Sequence, residues 1–294
     1  RIVLNATTTG PADGEVTLTT NEEPPTEYRF PIHAVVSDSK AFSSVGVFRD
    51  GLWLIDNNRD AEPDEIFEFG IAGDRPLTGD WNGDGICDVA VSRPTSDDKL
   101  LIQFRLRGES PQPALEQAEL ILADKNWKPV AADRDGDGRT DIGYVTTQVP
   151  GAALVWAFDT TRDGLFQDTI VFGLQGDDLV VGDWNGDSID DFAVSRPNPN
   201  DAPEARLWQM TGAGLASPRE LIYLSHFDLP IVGDWDGDGD DDPGGWRPWP
   251  ESKTSVWQFE TDGDIHSNCD LEGFGFDTDI PFVLRRPGKV HLNR

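Results

Sequence analysis

Four times the chain repeats the pattern Asp-x-(Asp/Asn)-Gly-Asp-(Gly/Ser)-x-x-Asp, starting at Asp80, Asp133, Asp183 and Asp234. The interval of roughly fifty residues is that of a repeat architecture, in which one supersecondary unit recurs and neighbours stack to bury a shared core. Any fold proposed for the chain has to place these four loops equivalently.

The loop chemistry points to a hard cation. Calcium takes six to eight oxygens at roughly 2.3–2.6 Å, and a short turn delivers them when acidic side chains at alternate positions point inward. Positions 1, 3, 5 and 9 are Asp80, Asn82, Asp84 and Asp88 in the first loop and Asp133, Asp135, Asp137 and Asp141 in the second. In the third they are Asp183, Asn185, Asp187 and Asp191, and in the fourth Asp234, Asp236, Asp238 and Asp242. Position 7 would add a backbone carbonyl, from Ile86, Arg139, Ile189 and Asp240 in turn. Glycines at position 4 (Gly83, Gly136, Gly186, Gly237) and position 6 (Gly85, Gly138, Gly239) supply the positive φ of a tight ion-wrapping turn. Ser188 replaces the position-6 glycine of the third loop. A left-handed non-glycine residue costs roughly 1 kcal/mol, so the third site is expected to be the weakest or least regular. An EF-hand would need a bidentate Glu at position 12 and flanking helices. Position 12 is Val91, Tyr144, Val194 and Gly245, and the flanks alternate like strands.

Aligned on the loops, each unit reads as four short strands. One enters the loop (Pro76–Gly79, Pro129–Ala132, Leu179–Gly182, Pro230–Gly233) and a second leaves it (Val89–Arg93, Ile142–Thr146, Phe192–Arg196, Pro243–Arg247). A third carries a Trp or Phe (Leu100–Leu106, Leu154–Phe158, Leu207–Met210, Val256–Phe259). The fourth (Ala118–Leu122, Thr169–Phe172, Glu220–Leu224, Asp270–Phe274) leads toward the next unit. Those are the dimensions of a β-propeller blade.

Phe69-Gly70, Phe172-Gly173 and Phe274-Gly275, together with the Gly-Asp-Trp-Asn/Asp-Gly-Asp pattern, resemble the FG-GAP/VCBS repeats of bacterial surface proteins and of the integrin α-subunit head. The resemblance spans about residues 30 to 287. It implies an all-β, calcium-bearing propeller, usually extracellular, with the ion loops joining the first and second strands of a blade.

Six four-stranded blades are expected, with five or seven as alternatives. Upstream of the first loop, 31–36 and 45–49 match entering and leaving strands, with Asp38, Lys40 and Ser44 at ligand positions, so that loop is read as having lost its ion. Pro281–Arg285 matches another entering strand. Joined to Ile2–Asn5, Val16–Thr20 and Tyr28–Phe30 it would complete a closing blade and hide the sheet edges. The whole chain, 1–294, is then one propeller domain with units 1–30 plus 281–294, 31–70, 76–124, 129–173, 179–225 and 230–275.

The formal net charge is −30, from 54 acidic and 24 basic residues. Such a surface repels nucleic acid and anionic membrane. There is no run of about 18 apolar residues and no secretory leader pattern, so membrane insertion is not expected. Millimolar extracellular calcium would fill modest sites, which favours a secreted or cell-surface location. Cys87 and Cys269 fall in different units and are expected to be free thiols.

Ten Trp residues invite a ligand-binding reading. Trp81, Trp184 and Trp235 recur at loop position 2, and Trp53, Trp156, Trp208 and Trp257 on the third strand, which favours packing. Trp127, Trp246 and Trp249 break the repeat and are the candidate ligand surface. The recurring Arg93, Arg196 and Arg247, each followed by Pro, and Arg49 are expected to bridge to carboxylates of neighbouring blades.

His33, His226, His266 and His291 are scattered, and no zinc, nucleophile or phosphate-cradling motif is present. The chain therefore reads as a calcium-stabilised extracellular recognition or adhesion module, with about four structural ions. It is expected to be a monomeric part of a larger protein, with an unidentified protein or glycan ligand. A carbohydrate-binding lectin propeller is the first alternative. A polysaccharide-degrading lyase or hydrolase is the second, and it would require a His/Tyr/Arg/Lys constellation in the central channel.

Overall fold

The computed structural model describes residues 10–19, 27–36, 42–107, 119–122, 124–147, 153–161, 163–198, 205–212, 218–261 and 269–285. The chain divides into two compact units, Arg1–Ala41 and Phe42–Arg294. In the first, β1 (Gly10–Thr19) and β2 (Glu27–Val36) pair antiparallel as a two-stranded sheet.

The second unit is a β-propeller of five four-stranded antiparallel blades. The first blade orders as β22 (Ile280–Leu284), β3 (Ser44–Arg49), β4 (Leu52–Asp56) and β5 (Glu65–Glu68). The second runs β6 (Arg75–Gly79), β7 (Asp88–Pro94), β8 (Leu100–Arg105) and β9 (Glu119–Leu122). The third is β10 (Lys128–Ala132), β11 (Asp141–Thr147), β12 (Ala153–Asp159) and β13 (Asp168–Leu174). The fourth is β14 (Asp178–Gly182), β15 (Asp191–Pro197), β16 (Ala205–Met210) and β17 (Arg219–Ser225). The fifth is β18 (Leu229–Gly233), β19 (Asp242–Trp249), β20 (Thr254–Phe259) and β21 (Cys269–Glu272). The innermost strands β6, β10, β14, β18 and β22 each neighbour the next around a closed ring.

Six blades are therefore corrected to five. The slot expected for Pro31–Val36 as the entering strand of the first blade is filled by β22, which pairs with β3 through Val283 opposite Val45. Residues 31–36 pair instead with β1, Pro31 opposite Glu15. Among the described residues there is no separate closing blade: Val16–Thr19 and Tyr28–Phe30 belong to the N-terminal hairpin, and Ile2–Asn5 lies outside them. The C-terminal strand alone closes the ring, removing the sheet edge that an open propeller would expose.

Packing explains the recurring aromatics. Trp53, Trp156, Trp208 and Trp257 are the largest fully buried side chains. The indole nitrogens of Trp53, Trp156 and Trp257 donate to the carbonyls of Phe69 (2.8 Å), Phe172 (2.8 Å) and Phe274 (3.0 Å). The Gly that follows each Phe has φ near +90° (Gly70 91°, Gly173 85°, Gly275 91°). A Cβ on these glycines would lie 2.9 Å from Val91, 2.6 Å from Val194 and 2.7 Å from Val47, each on the second strand of the next blade. The Phe-Gly pair is thus an acceptor for the third-strand Trp and a gap for the neighbouring blade.

The recurring arginines tie each second strand to the turn that leads into its own blade. Arg93 pairs with Asp74 (2.8 Å), Arg196 with Asp177 (2.7 Å), Arg247 with Asp228 (2.5 Å) and Arg49 with Asp279 (2.6 Å). The expectation of carboxylates on neighbouring blades is corrected: each partner directly precedes the innermost strand that pairs with the Arg-bearing strand. The third blade lacks this pair, with Thr146 and Trp127 in the two positions. Cys87 and Cys269 are both free thiols, the first buried and the second exposed.

Candidate metal centres

Each ion loop joins the innermost strand of a blade to its second strand, so the antiparallel order puts all four loops on one face of the ring. The turns joining second to third strands, and each blade to the next, lie on the opposite face.

Within a loop the carboxylates organise the backbone. Asp80 accepts the amides of Gly83 (2.7 Å) and Gly85 (2.8 Å), Asn82 accepts that of Asp84 (2.9 Å), Asp84 that of Ile86 (2.8 Å), and Asp88 that of Trp81 (3.2 Å). The second loop repeats this through Asp133, Asp135, Asp137 and Asp141. The third does so through Asp183, Asn185 and Asp187, and the fourth through Asp234, Asp236 and Asp238. Gly83 and Gly85 take φ of 77° and 84°, as the turn requires. Ser188 takes the same left-handed conformation at φ 70°, so the third loop keeps its trace at the cost of backbone strain.

Consecutive loops are laced together. The amide of Asp80 donates to the Thr140 hydroxyl (2.8 Å) and the Thr140 amide returns to the Asp80 carbonyl (2.7 Å). The same exchange links Asp133 with Asp190 (2.8 and 2.8 Å), Asp183 with Asp241 (3.0 and 2.7 Å) and Asp234 with Ser43 (3.0 and 2.7 Å). Position 1 of one loop is thus held by position 8 of the next blade.

Two oxygens bound to one calcium at roughly 2.4 Å can be no more than about 4.8 Å apart. Oxygens of Asp133, Asp135 and Asp141 lie within 4.8 Å of one another, as do those of Asp234, Asp236 and Asp238. In the first and third loops position 3 is an amide, Asn82 or Asn185, which offers a carbonyl oxygen instead. Burial, acting first, and the neighbouring carboxylates push Asp242 up to about 8. Burial likewise raises Asp88, Asp133 and Asp191 to about 6. These half-buried carboxylates are short of counter-charge, Asp191 having only Arg134 nearby, and a divalent cation supplies it. The donor set, all oxygen and mostly anionic, fits calcium.

Sequence reasoning passed over a turn with the same ladder, between β4 and β5. Asp56 accepts the amides of Arg59 (2.6 Å) and Ala61 (2.8 Å), Asn58 that of Asp60 (3.0 Å), Asp60 that of Glu62 (3.0 Å), and Asp64 that of Asn57 (2.7 Å). The spacing is that of positions 1, 3, 5 and 9. Arg59 and Ala61 replace the two glycines at φ 60° and 70°. Without Gly-Asp-Gly only the Asp/Asn spacing signals this turn.

The candidate ligand surface divides. Trp246 is 2% exposed and belongs to the core of the fifth blade. Trp127 is half-buried and stacks on Tyr144 at 3.8 Å, with Phe166 edge-on to Tyr144 at 4.6 Å. This cluster occupies the place of the missing Arg–Asp pair. Trp249 remains open, 47% exposed, on the face opposite the ion loops. Ile71, Leu174, Phe227 and Phe276 are exposed on the same face, in the turns that join the blades. His226 packs against Phe227 at 3.7 Å, and the side chains of His33, His266 and His291 lie outside the described residues.

The ring axis holds a cavity of about 420 Å³ lined by all five innermost strands. Its charged lining is Arg75, Lys128, Asp178 and Arg285, and no His or Tyr is among the described lining residues. No helix among the described residues is long and apolar enough to cross a membrane. No protein-family profile, curated protein or solved structure matches the chain.

Proposed function

We propose that the protein is a calcium-stabilised propeller of the FG-GAP/VCBS type, working outside the cell as a recognition or adhesion module of a larger secreted or surface protein. The observation that carries this reading is the division of labour between the two faces. One face carries the four oxygen-rich loops, each bonded to the next and the last to Ser43 of the first blade. The other carries exposed Ile71, Leu174, Phe227, Trp249 and Phe276, which contribute little to the core. Recurring apolar side chains left in solvent favour a contact surface over packing. About four calcium ions, held by the ligands named above, would replace the apolar core that the loops lack, while the opposite face meets the partner.

A carbohydrate ligand is the second reading, favoured by Trp249, whose indole is free to stack on a sugar ring. A glycan array and a panel of immobilised extracellular proteins, each probed in calcium and in chelator, test both. The expected result is binding to one class that requires calcium and is lost in Phe227→Ser or Trp249→Ser. Binding that survives both substitutions would place the contact elsewhere and overturn the assignment of this face.

A further inference from the structure

The first blade has no ion loop between its innermost and second strands, because its innermost strand β22 comes from the far end of the sequence. Leu284 pairs with Ser44 as Gly79 pairs with Asp88, so Arg285 stands where the other blades carry their first ligand. Its guanidinium crosses to two other blades. Nη1 donates to Asp190 (2.6 Å) and Asp241 (2.9 Å), and Nη2 donates to the second oxygen of Asp190 (2.8 Å). Asp190 and Asp241 are position 8 of the third and fourth loops, and both side chains are only 10% exposed. Each also accepts the amide of the first ligand of the preceding loop, Asp133 at 2.8 Å and Asp183 at 3.0 Å. Each directly precedes a last ligand in sequence, Asp191 or Asp242.

We infer that Arg285 couples the seating of the closing strand to cation binding in the second, third and fourth loops. The inference rests on the calcium reading above. Asp190 and Asp241 sit on loop backbone, so an ion that orders the loops also fixes the two acceptors that hold Arg285. Linkage makes the effect reciprocal: calcium tightens β22, and docked β22 tightens calcium. Arg285 is thus a positioning residue, a fixed internal cation standing in the blade that has no ion loop between its innermost and second strands. Removing it leaves two buried carboxylates with a backbone amide each but without the cation that pairs them, and breaking a buried ion pair on one side is strongly destabilising.

Hydrogen exchange, with and without calcium, on the full chain and on Arg285→Gln tests the coupling. In the unsubstituted protein calcium is expected to slow exchange both in the third loop (183–191) and in β22, the latter by at least about fivefold, the lower end of typical couplings. In Arg285→Gln the gain at the third loop persists and the gain at β22 falls below half. Should that variant fail to fold, Asp241→Asn keeps the Asp190 pair and is expected to show the same loss at smaller size. An undiminished gain at β22 would overturn the coupling while leaving the calcium sites intact. No calcium-dependent gain in the loops of the unsubstituted protein would instead overturn the calcium reading, and the coupling with it.

Discussion

At the scale of single residues, the ion loops show how side chains and backbone share one task. The position-1 Asp takes two amides, and the glycines at positions 4 and 6 let those amides turn inward. Ser188 does the work of a glycine at φ 70°. Ser188→Gly is therefore expected to raise stability by roughly 1 kcal/mol, read as a higher urea midpoint, and to tighten the third site. Titration of the ladder carboxyls gives a second prediction. Asp88, Asp133 and Asp191 at about 6 and Asp242 at about 8 lie above the ordinary carboxyl range. A folded state with raised carboxyl pKa values binds more protons than the unfolded chain. In chelator, the stability these four groups contribute is fully present below about pH 4 and is lost as pH rises through 6 to 8. Calcium requires the ionised ligands, so in calcium the loss over that window disappears or reverses. Melting temperatures across the pH range, with and without calcium, check the sign. The Asp/Asn spacing and the glycines made these residues legible in the sequence. The turn at Asp56 was not, because Arg59 and Ala61 accept strain where glycine would have announced it.

At the scale of strands and blades, the junction of the fourth and fifth blades departs in a compensated way from the three that carry a Phe-Gly pair. Where three junctions set the Gly of a Phe-Gly pair against a Val, the fourth blade offers Tyr223-Leu224 and the fifth answers with Gly245. Leu224 takes φ 72°, and a Cβ on Gly245 would lie 2.5 Å from its side chain. The swap predicts a double-mutant cycle. Gly245→Val alone overpacks the junction and costs roughly 1–3 kcal/mol. Leu224→Gly alone relieves strain but opens a gap against Gly245. The pair together restores the arrangement of the other junctions, with a coupling above roughly 1 kcal/mol in denaturant midpoints. Additive effects would mean the two positions pack independently. Strand positions themselves were readable to within one or two residues in most blades, because each unit repeats its polar and apolar pattern about the loop. The Arg–Asp pairs were readable as ion pairs but not as to partner. The Asp lies about nineteen residues before its Arg, and only the antiparallel pairing of the innermost and second strands brings them together.

At the scale of the whole molecule, closure is the step that the sequence left open. Residues 31–36 and 281–285 have similar entering-strand patterns, and both fit the slot beside β3. Choosing between them depends on long-range packing rather than on any local signal, and a six-blade reading follows when both are given a blade. In the five-blade ring the C-terminal strand takes the slot, and Arg285 binds it to loops on two other blades. The loops, the bonds from position 1 of each to position 8 of the next blade, and this closing strand form one continuous set of bonds on the ion face. Removal of the proposed cations is therefore expected to weaken the ring as a whole rather than one loop. The most direct measurement is a thermal melt in EDTA and again in millimolar calcium, with metal analysis of the purified protein. A site filled at a hundredfold excess over its Kd contributes roughly 2.7 kcal/mol, so four sites predict a calcium-specific rise of many degrees with about four ions bound. An unchanged melt with no bound metal would contradict the account, and the acidic ladders would then be turns that satisfy only their own amides.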